Sequence, residues 1–477
     1  MRLVLLAIAF AATGCSAADA LNVVLDPTAR PVSSASDDSP SNGASQADVI
    51  ILVAQRGTPA YAFAESRENG STIFAERKLW RGLQKAAEIL NEGGSRTVTV
   101  GVAGGEYDGE FGGGIQRVPR IDNPEGTLKL LAGFNDDFSG RQPFAFAVSV
   151  PTIRGRDGAI FQIASRTTLK ELVISGLILD AAPSNKYDAR TNSLVKGESR
   201  NYPLMSWAQM EAERVVIADN IFLNGASGTV RLGMTPPRGV SGEVIVQNNF
   251  FLNNLLAFET QTYGRRIGAP YGRLVVRNNS FLANFPYNPD PTSSNVSAVE
   301  LHTSESFQET VFERNLFAYN AGGAFQVDWP QDRLADFTLR ENLFFLNGVL
   351  WGEGAAEAAV FAGKFGTGAV YRILDLYDVE DDVDGEVSGN VAFDPQVPIV
   401  MAPLQSVDGA SVSAQPTLMN DVRRLFGANT DGGTVAIANF APQMMFDIRA
   451  VPLPQNEEAK AFGVQPAIIY GATGAPQ

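Results

Sequence analysis

RVVIADNIFLNG (214–225), EVIVQNNFFLNN (243–254), RLVVRNNSFLAN (273–284), TVFERNLFAYNA (310–321) and FTLRENLFFLNG (337–348) are five versions of one unit. Each is a short β-branched run, then an Asn, then a Phe two residues later: Asn220/Phe222, Asn249/Phe251, Asn279/Phe281, Asn315/Phe317 and Asn342/Phe344. Most add a second Asn five residues on. The first Asn residues are 29, 30, 36 and 27 positions apart, a period at which self-similarity marks stacked repeats. A unit of strand, tight turn, strand, longer turn and third strand buries its apolar face only against neighbouring copies. The fold expected is therefore all-β, a right-handed parallel β-helix or solenoid. Asn tolerates left-handed backbone angles and bonds locally, so it is expected at the sharp bends as a ladder, with the Phe residues stacked inside. An ordinary β-sandwich is the competing reading, and near-identical units at this period argue against it.

Composition sets the outer limits. The 477 residues are 45% hydrophobic, enough for a large core, and a solenoid holds that length in one elongated domain. The 46 Gly and 26 Pro supply the turns that many short strands need. A net charge of −15 with a single His argues against a nucleic-acid partner, which needs a basic footprint.

The chain opens with Met1, Arg2, the apolar run LVLLAIAFAA, then Thr13, Gly14 and Cys15. A charged start, a short apolar run and small residues describe a signal peptide over 1–14, too short to span a bilayer. Ala12-Thr13-Gly14-Cys15 resembles the bacterial lipobox, with Ala12 in place of the usual Leu. That resemblance implies acylation of Cys15, a lipid anchor to the outer membrane, and a location in the bacterial cell envelope. Cleavage after Ala18-Asp19-Ala20 and secretion is the alternative. As the only Cys, Cys15 has no disulfide partner.

Residues 15–47, with SSASDDSPSNGASQ, read as a disordered tether. Order is expected from Asp48, with an N-terminal cap and first coils over 48–158. Within it FAERKLWRGLQKAAEIL spaces Leu79, Leu83, Ala86, Ala87 and Leu90 as one face of a helix, stopped by Gly93-Gly94 and placed to cap the first coil. The strand-like TVTVGVAGGEYDG and LKLLAGF follow. The β-helix proper is expected over 159–394, beginning with AIFQIAS, KELVISG and LILD, with Gly176 where later copies place Asn. GEVSGNVAFD (385–394) reads as a last degenerate copy, and 395–477 as an irregular tail that wraps or caps the far end.

The order of helix, V-x-V and G-x-Y resembles the N-terminal part of secreted bacterial right-handed β-helix proteins of the pectate-lyase-like superfamily, including the DUF1565-type family. TIRGRDG and VISGLIL are similar to segments of polysaccharide lyases on that fold. The resemblance covers most of the mature chain and implies fold and export. It carries no catalytic motif.

After each Asn-Phe unit comes a further strand: TVRLG (229–233), AFETQ (257–261), AVELH (298–302) and AFQVD (324–328). Pointing Val230, Leu232, Phe258, Val299, Leu301, Phe325 and Val327 inward leaves Arg231, Glu259, Gln261, Glu300, His302, Gln326 and Asp328 outside. At ~4.8 Å between parallel strands, these polar groups are spaced to meet one extended ligand. In nearby loops Tyr263, Tyr271, Tyr287 and Trp329 are placed to stack on sugar rings, and Arg231, Arg265 and Arg266 to meet carboxylates.

The ligand expected is a polysaccharide or cell-surface glycan, extended and acidic. In a lyase, His302, oriented by Asp328, is the base and the arginines neutralise the enediolate. In a hydrolase, Glu259 with Glu300, or Glu259 with Asp328, supplies the two carboxyls. Gln261 and Gln326 complete the substrate contacts. Glu259, Glu300 and Asp328 offer oxygens for Ca2+, without a spacing signature, and DVEDDVDGE (378–386) lacks the order of an EF-hand loop. Two readings without catalysis compete: ordinary solvated side chains on an exposed sheet, and a surface protein for adhesion, glycan binding or envelope structure.

Overall fold

The computed structural model describes residues 48–107, 109, 115–144, 148–151, 160–180, 187–188, 193–194, 203–223, 225, 228–235, 240–262, 271–284, 297–302, 307–320, 322–328, 336–348, 358–362, 369–372, 386–397, 401–403, 444–446 and 452–466. Residues 1–47, where a signal peptide, an acylated Cys15 and a tether are expected, lie outside them. The described residues are mostly β, 52% strand and 10% helix, with long parallel sheets and no barrel among them.

Each copy of the repeat gives one strand to each of three parallel ladders. The first takes the β-branched run, for example Glu243–Gln247, Tyr271–Arg277, Phe307–Glu313 and Asp336–Arg340. The second takes the three residues after Asn, from Ile221–Leu223 through Phe250–Leu252, Ser280–Leu282 and Leu316–Ala318 to Leu343–Phe345. The third runs through Val230–Thr235, Phe258–Thr262, Ser297–His302 and Gly323–Asp328. The long strand Met205–Ala218 pairs with the third ladder near its start and with the first near its end, which joins the two into one 19-stranded sheet.

The Phe residues stack as the repeat requires. Ring centroids from Phe222 through Phe251, Phe281 and Phe317 to Phe344 are 4.9, 4.6, 4.8 and 5.3 Å apart, so strand spacing itself sets ring spacing. All five lie in the main core with Val230, Leu232, Phe258, Val299 and Leu301, five of the seven side chains expected to point inward; those of Phe325 and Val327 lie outside the described residues.

The Asn ladder forms as expected, but its residues do not take the left-handed angle. The left-handed residue is one position earlier: Asp219, Asn248, Asn278, Arg314 and Glu341 carry φ of 51 to 57°. The ladder Asn acts through its amide instead. Asn249 donates its backbone N–H and its Nδ2 to Asn279 Oδ1, at 3.0 and 2.9 Å, and its own Oδ1 accepts the same pair from Asn220. Nδ2 also reaches back to Ile217 O at 2.9 Å. The chain of bonds runs on through Asn279, Asn315 and Asn342 to Asn390, which makes 386–391 the degenerate last copy. A second ladder joins Asn254, Asn284, Asn320 and Asn347. Gly176 matches Asp219, not Asn220; it takes the left-handed position with φ 88°, and Leu177 stands where the later copies have Asn.

At the N-terminal end the helix Leu79–Leu90 buries Leu79, Leu83, Ala86, Ala87 and Leu90 in the main core against Val49–Val53 and Thr97–Ala103. It begins later than the periodic run: Ile73–Glu76 is a strand paired with Val49–Val53, because backbone pairing at a sheet edge outweighs helix propensity there. A further helix, Pro59–Arg67, covers the outer face of the first ladder with Ala60 and Ala64.

The outer face of the second ladder is apolar and covered. Residues 452–466 lie across it, packing Leu453, Ala459, Phe462 and Val464 on Leu282, Leu316 and Leu343. The segment crosses successive copies, with Gly463 N–H donating to Arg314 O, Val464 N–H to Ser280 Oγ and Gln465 N–H to Asn248 Oδ1. Only a glycine fits at 463: its φ is +74°, and a Cβ would stand 2.9 Å from Leu316 Cβ. This stretch is thus a strap along the side of the ladders and not a cap on the far end.

Candidate functional site

The third ladder places Arg231, Glu259, Glu300 and Gln326 in one register column, each directly opposite the next. Their neighbours Val230, Leu232, Phe258, Val299 and Leu301 belong to the main core, so strand alternation turns the column outward. It also continues further than the repeat suggested. Ser206 pairs with Arg231, Gln162 with Ser206, and Arg117 with Gln162. Their flanking residues Met205, Trp207, Phe161, Ile163 and Val118 are core residues as well. These earlier members lie outside the Asn-Phe units, and only the triplets QRV, FQI and MSW, apolar or buried on either side of one polar residue, signal them.

Burial overturns the expectation of ordinary solvated side chains. Glu259 is 1%, Glu300 0% and Gln326 2% exposed. Outward direction on a strand decides which face a side chain leaves by, and what packs over that face decides its exposure. Arg231 Nε donates to Glu259 Oε2 at 2.8 Å, with the arginine side chain 38% exposed. A charge-assisted bond of this kind holds the carboxylate in one orientation. Gly228 makes room for it: a Cβ there would sit 3.0 Å from Glu259 Oε2 and 3.4 Å from Arg231 Nη2.

His302 and Asp328 are partners in backbone register, as expected for neighbouring copies, and Gln261 pairs with Gly233. The side chains of those three, and Tyr263, Arg265, Arg266, Tyr287 and Trp329, lie outside the described residues. Tyr271 does not offer a ring to a ligand. It is a core residue, 0% exposed, its hydroxyl donates to Ala212 O, and burial pushes its ionisation well above the usual tyrosine range. Among the described residues no group of three His, Cys, Asp or Glu side chains converges as a metal site, and no helix is long and apolar enough to cross a membrane.

A second outward column went unread in the sequence. Along the first ladder Glu171, Arg214, Glu243, Arg273 and Glu309 alternate in sign and pair at 2.5, 3.6, 3.8 and 3.0 Å. The signal was available as opposite charges opening successive copies. These groups are half-buried or exposed and satisfied by one another, an arrangement suited to a solvated face. The Glu259–Glu300 column differs because two carboxyl side chains on adjacent strands are buried. Adjacent parallel strands put their Cα atoms ~4.8 Å apart.

No family model, curated protein or solved structure matches the chain.

Proposed function

We propose that this protein is a right-handed parallel β-helix, exported to the cell envelope through a signal peptide and Cys15, that hydrolyses an extended acidic polysaccharide with Glu259 and Glu300. The three in-register ladders, the two Asn ladders and the Phe stack support the β-helix. The observation that carries the reaction is the buried carboxylate pair on adjacent strands, one member ion-paired to Arg231. Buried titratable groups held by a specific charge partner cluster at functional sites.

Glu259, held in one orientation by Arg231, takes the nucleophile's part. Glu259 attacks the anomeric carbon as Glu300 protonates the departing glycosidic oxygen, giving a glycosyl ester on Glu259. Glu300 then takes a proton from water, which displaces the ester and frees the sugar with retained configuration.

The test incubates the full-length protein with uronate-containing and neutral polysaccharides, following reducing ends and ultraviolet-absorbing unsaturated ends together. Reducing ends without unsaturation, falling about 100-fold or more in Glu259→Gln and Glu300→Gln, are expected. Unsaturated ends lost in His302→Ala would make the protein a lyase instead. The near-complete burial of Glu259, Glu300 and Gln326 favours a second reading, a non-catalytic surface protein for adhesion or glycan binding. No product from any glycan, with glycan retained, would establish that one.

A further inference from the structure

The outward column is not uniform along its length. Arg117 is exposed, Gln162 and Ser206 are half-buried, and Arg231 is 38% exposed. Beyond Arg231 accessibility falls to 1, 0 and 2% at Glu259, Glu300 and Gln326. The polar run also stops there, since the next position in register is Phe361. At the opposite end the strand Gln116–Val118 pairs with Phe161–Ile163, and Arg117 ends the column with no ion pair to any described residue.

We infer that Arg117, Gln162, Ser206 and Arg231 form a one-sided binding strip for an acidic glycan, whose terminal unit stops at Arg231, beside the buried Glu259. The inference rests on the hydrolase reading for its last step and stands on the column for the rest. Three strand spacings separate Arg117 from Arg231, ~14 Å, so a bound chain lies across the strands. Its neutral hydroxyls meet the Gln162 amide and the Ser206 hydroxyl, and a carboxylate meets the Arg117 guanidinium, whose fork matches it in two bonds. A polymer bound in mid-chain would need polar, open surface on both sides of the carboxylates. Here one side is open and polar and the other is closed. Cleavage therefore proceeds from one chain end and releases short products.

The probes are galacturonate and alginate oligomers of defined length, labelled at the reducing end. Binding is measured by calorimetry and products by size, with the full-length protein, Arg117→Ala and Arg117→Lys. Expected are affinity that rises with length until Arg117 is reached, a loss of about tenfold in Arg117→Ala for those longer oligomers only, and partial recovery in Arg117→Lys. Mono- or disaccharides should appear from the earliest times. Internal cleavage with Arg117→Ala unchanged overturns the strip and leaves the hydrolase standing. Length-dependent binding through Arg117 without turnover keeps the strip and removes the hydrolase. Neither binding nor turnover removes both.

Discussion

Two sets of polar side chains are buried along parallel ladders at the same strand spacing, and they solve opposite problems. In the Asn ladder each amide is donor and acceptor at once, so Asn220, Asn249, Asn279, Asn315 and Asn342 satisfy one another copy after copy. In the outward column Glu259 and Glu300 are buried carboxyls on adjacent strands, which offer acceptors and no amide donor, and Glu259 is ion-paired to Arg231. An amide stack lowers the energy of the fold wherever it is extended. A carboxylate stack raises it, and such a cost is a mark of chemistry more than of architecture.

The comparison breaks most sharply if the first column is given the chemistry of the second. Asn279→Asp keeps the shape, removes the donors to Val246 O and Asn315 Oδ1, and buries a like-shaped acid. A loss of about 4 kcal/mol in urea unfolding at pH 7 is expected. Burial raises the introduced carboxyl's folded pKa above its unfolded value near 3.9. The penalty should therefore be present at pH 7 and shrink as pH falls toward 4. An unfolding midpoint equal to that of the parent at pH 7 would show that the ladder's donors contribute nothing.

Removing the cation tests the second column directly. Arg231→Met should cost about 1 to 2 kcal/mol, below the 3 to 5 typical of breaking a fully buried pair because the arginine is 38% exposed. Activity should fall further than stability, because Glu259 loses the partner that orients it. The smallest effect is expected from Gly228→Ala, whose added methyl meets Glu259 Oε2 at 3.0 Å. A stability change of about 1 kcal/mol or less is predicted, with a lower kcat and unchanged KM. Equal changes in kcat and stability across both variants would place the pair in the fold's framework and not in the reaction.

Much of this was legible because the repeat carries its own register. The Asn-Phe unit marks where each short strand begins, and apolar alternation in TVRLG, AFETQ and AVELH says which side chains leave outward. Both arise from local backbone geometry, which a sequence pattern encodes residue by residue. The doublet Asn248-Asn249 hid a division of labour, since either residue tolerates a left-handed angle. Arg314 and Glu341, which hold the same angle before Asn315 and Asn342, show that the bend tolerates other residues and that the amide ladder is what requires Asn.

Sequence alone settled the all-β repeat, the internal Phe stack, the shared column of Arg231, Glu259, Glu300 and Gln326, and the degenerate copy at Asn390, because each follows from periodicity along one strand or one turn. Tertiary structure decided the rest. The strand Ile73–Glu76 was drawn from a helical pattern by an edge needing a partner, 452–466 was laid over an apolar face some 200 residues earlier in the chain, and Tyr271 was taken into the core. It also buried Glu259 and Glu300 while leaving Arg117 open. Burial is set by contacts between segments far apart in the chain, and no periodicity records what will pack over a strand.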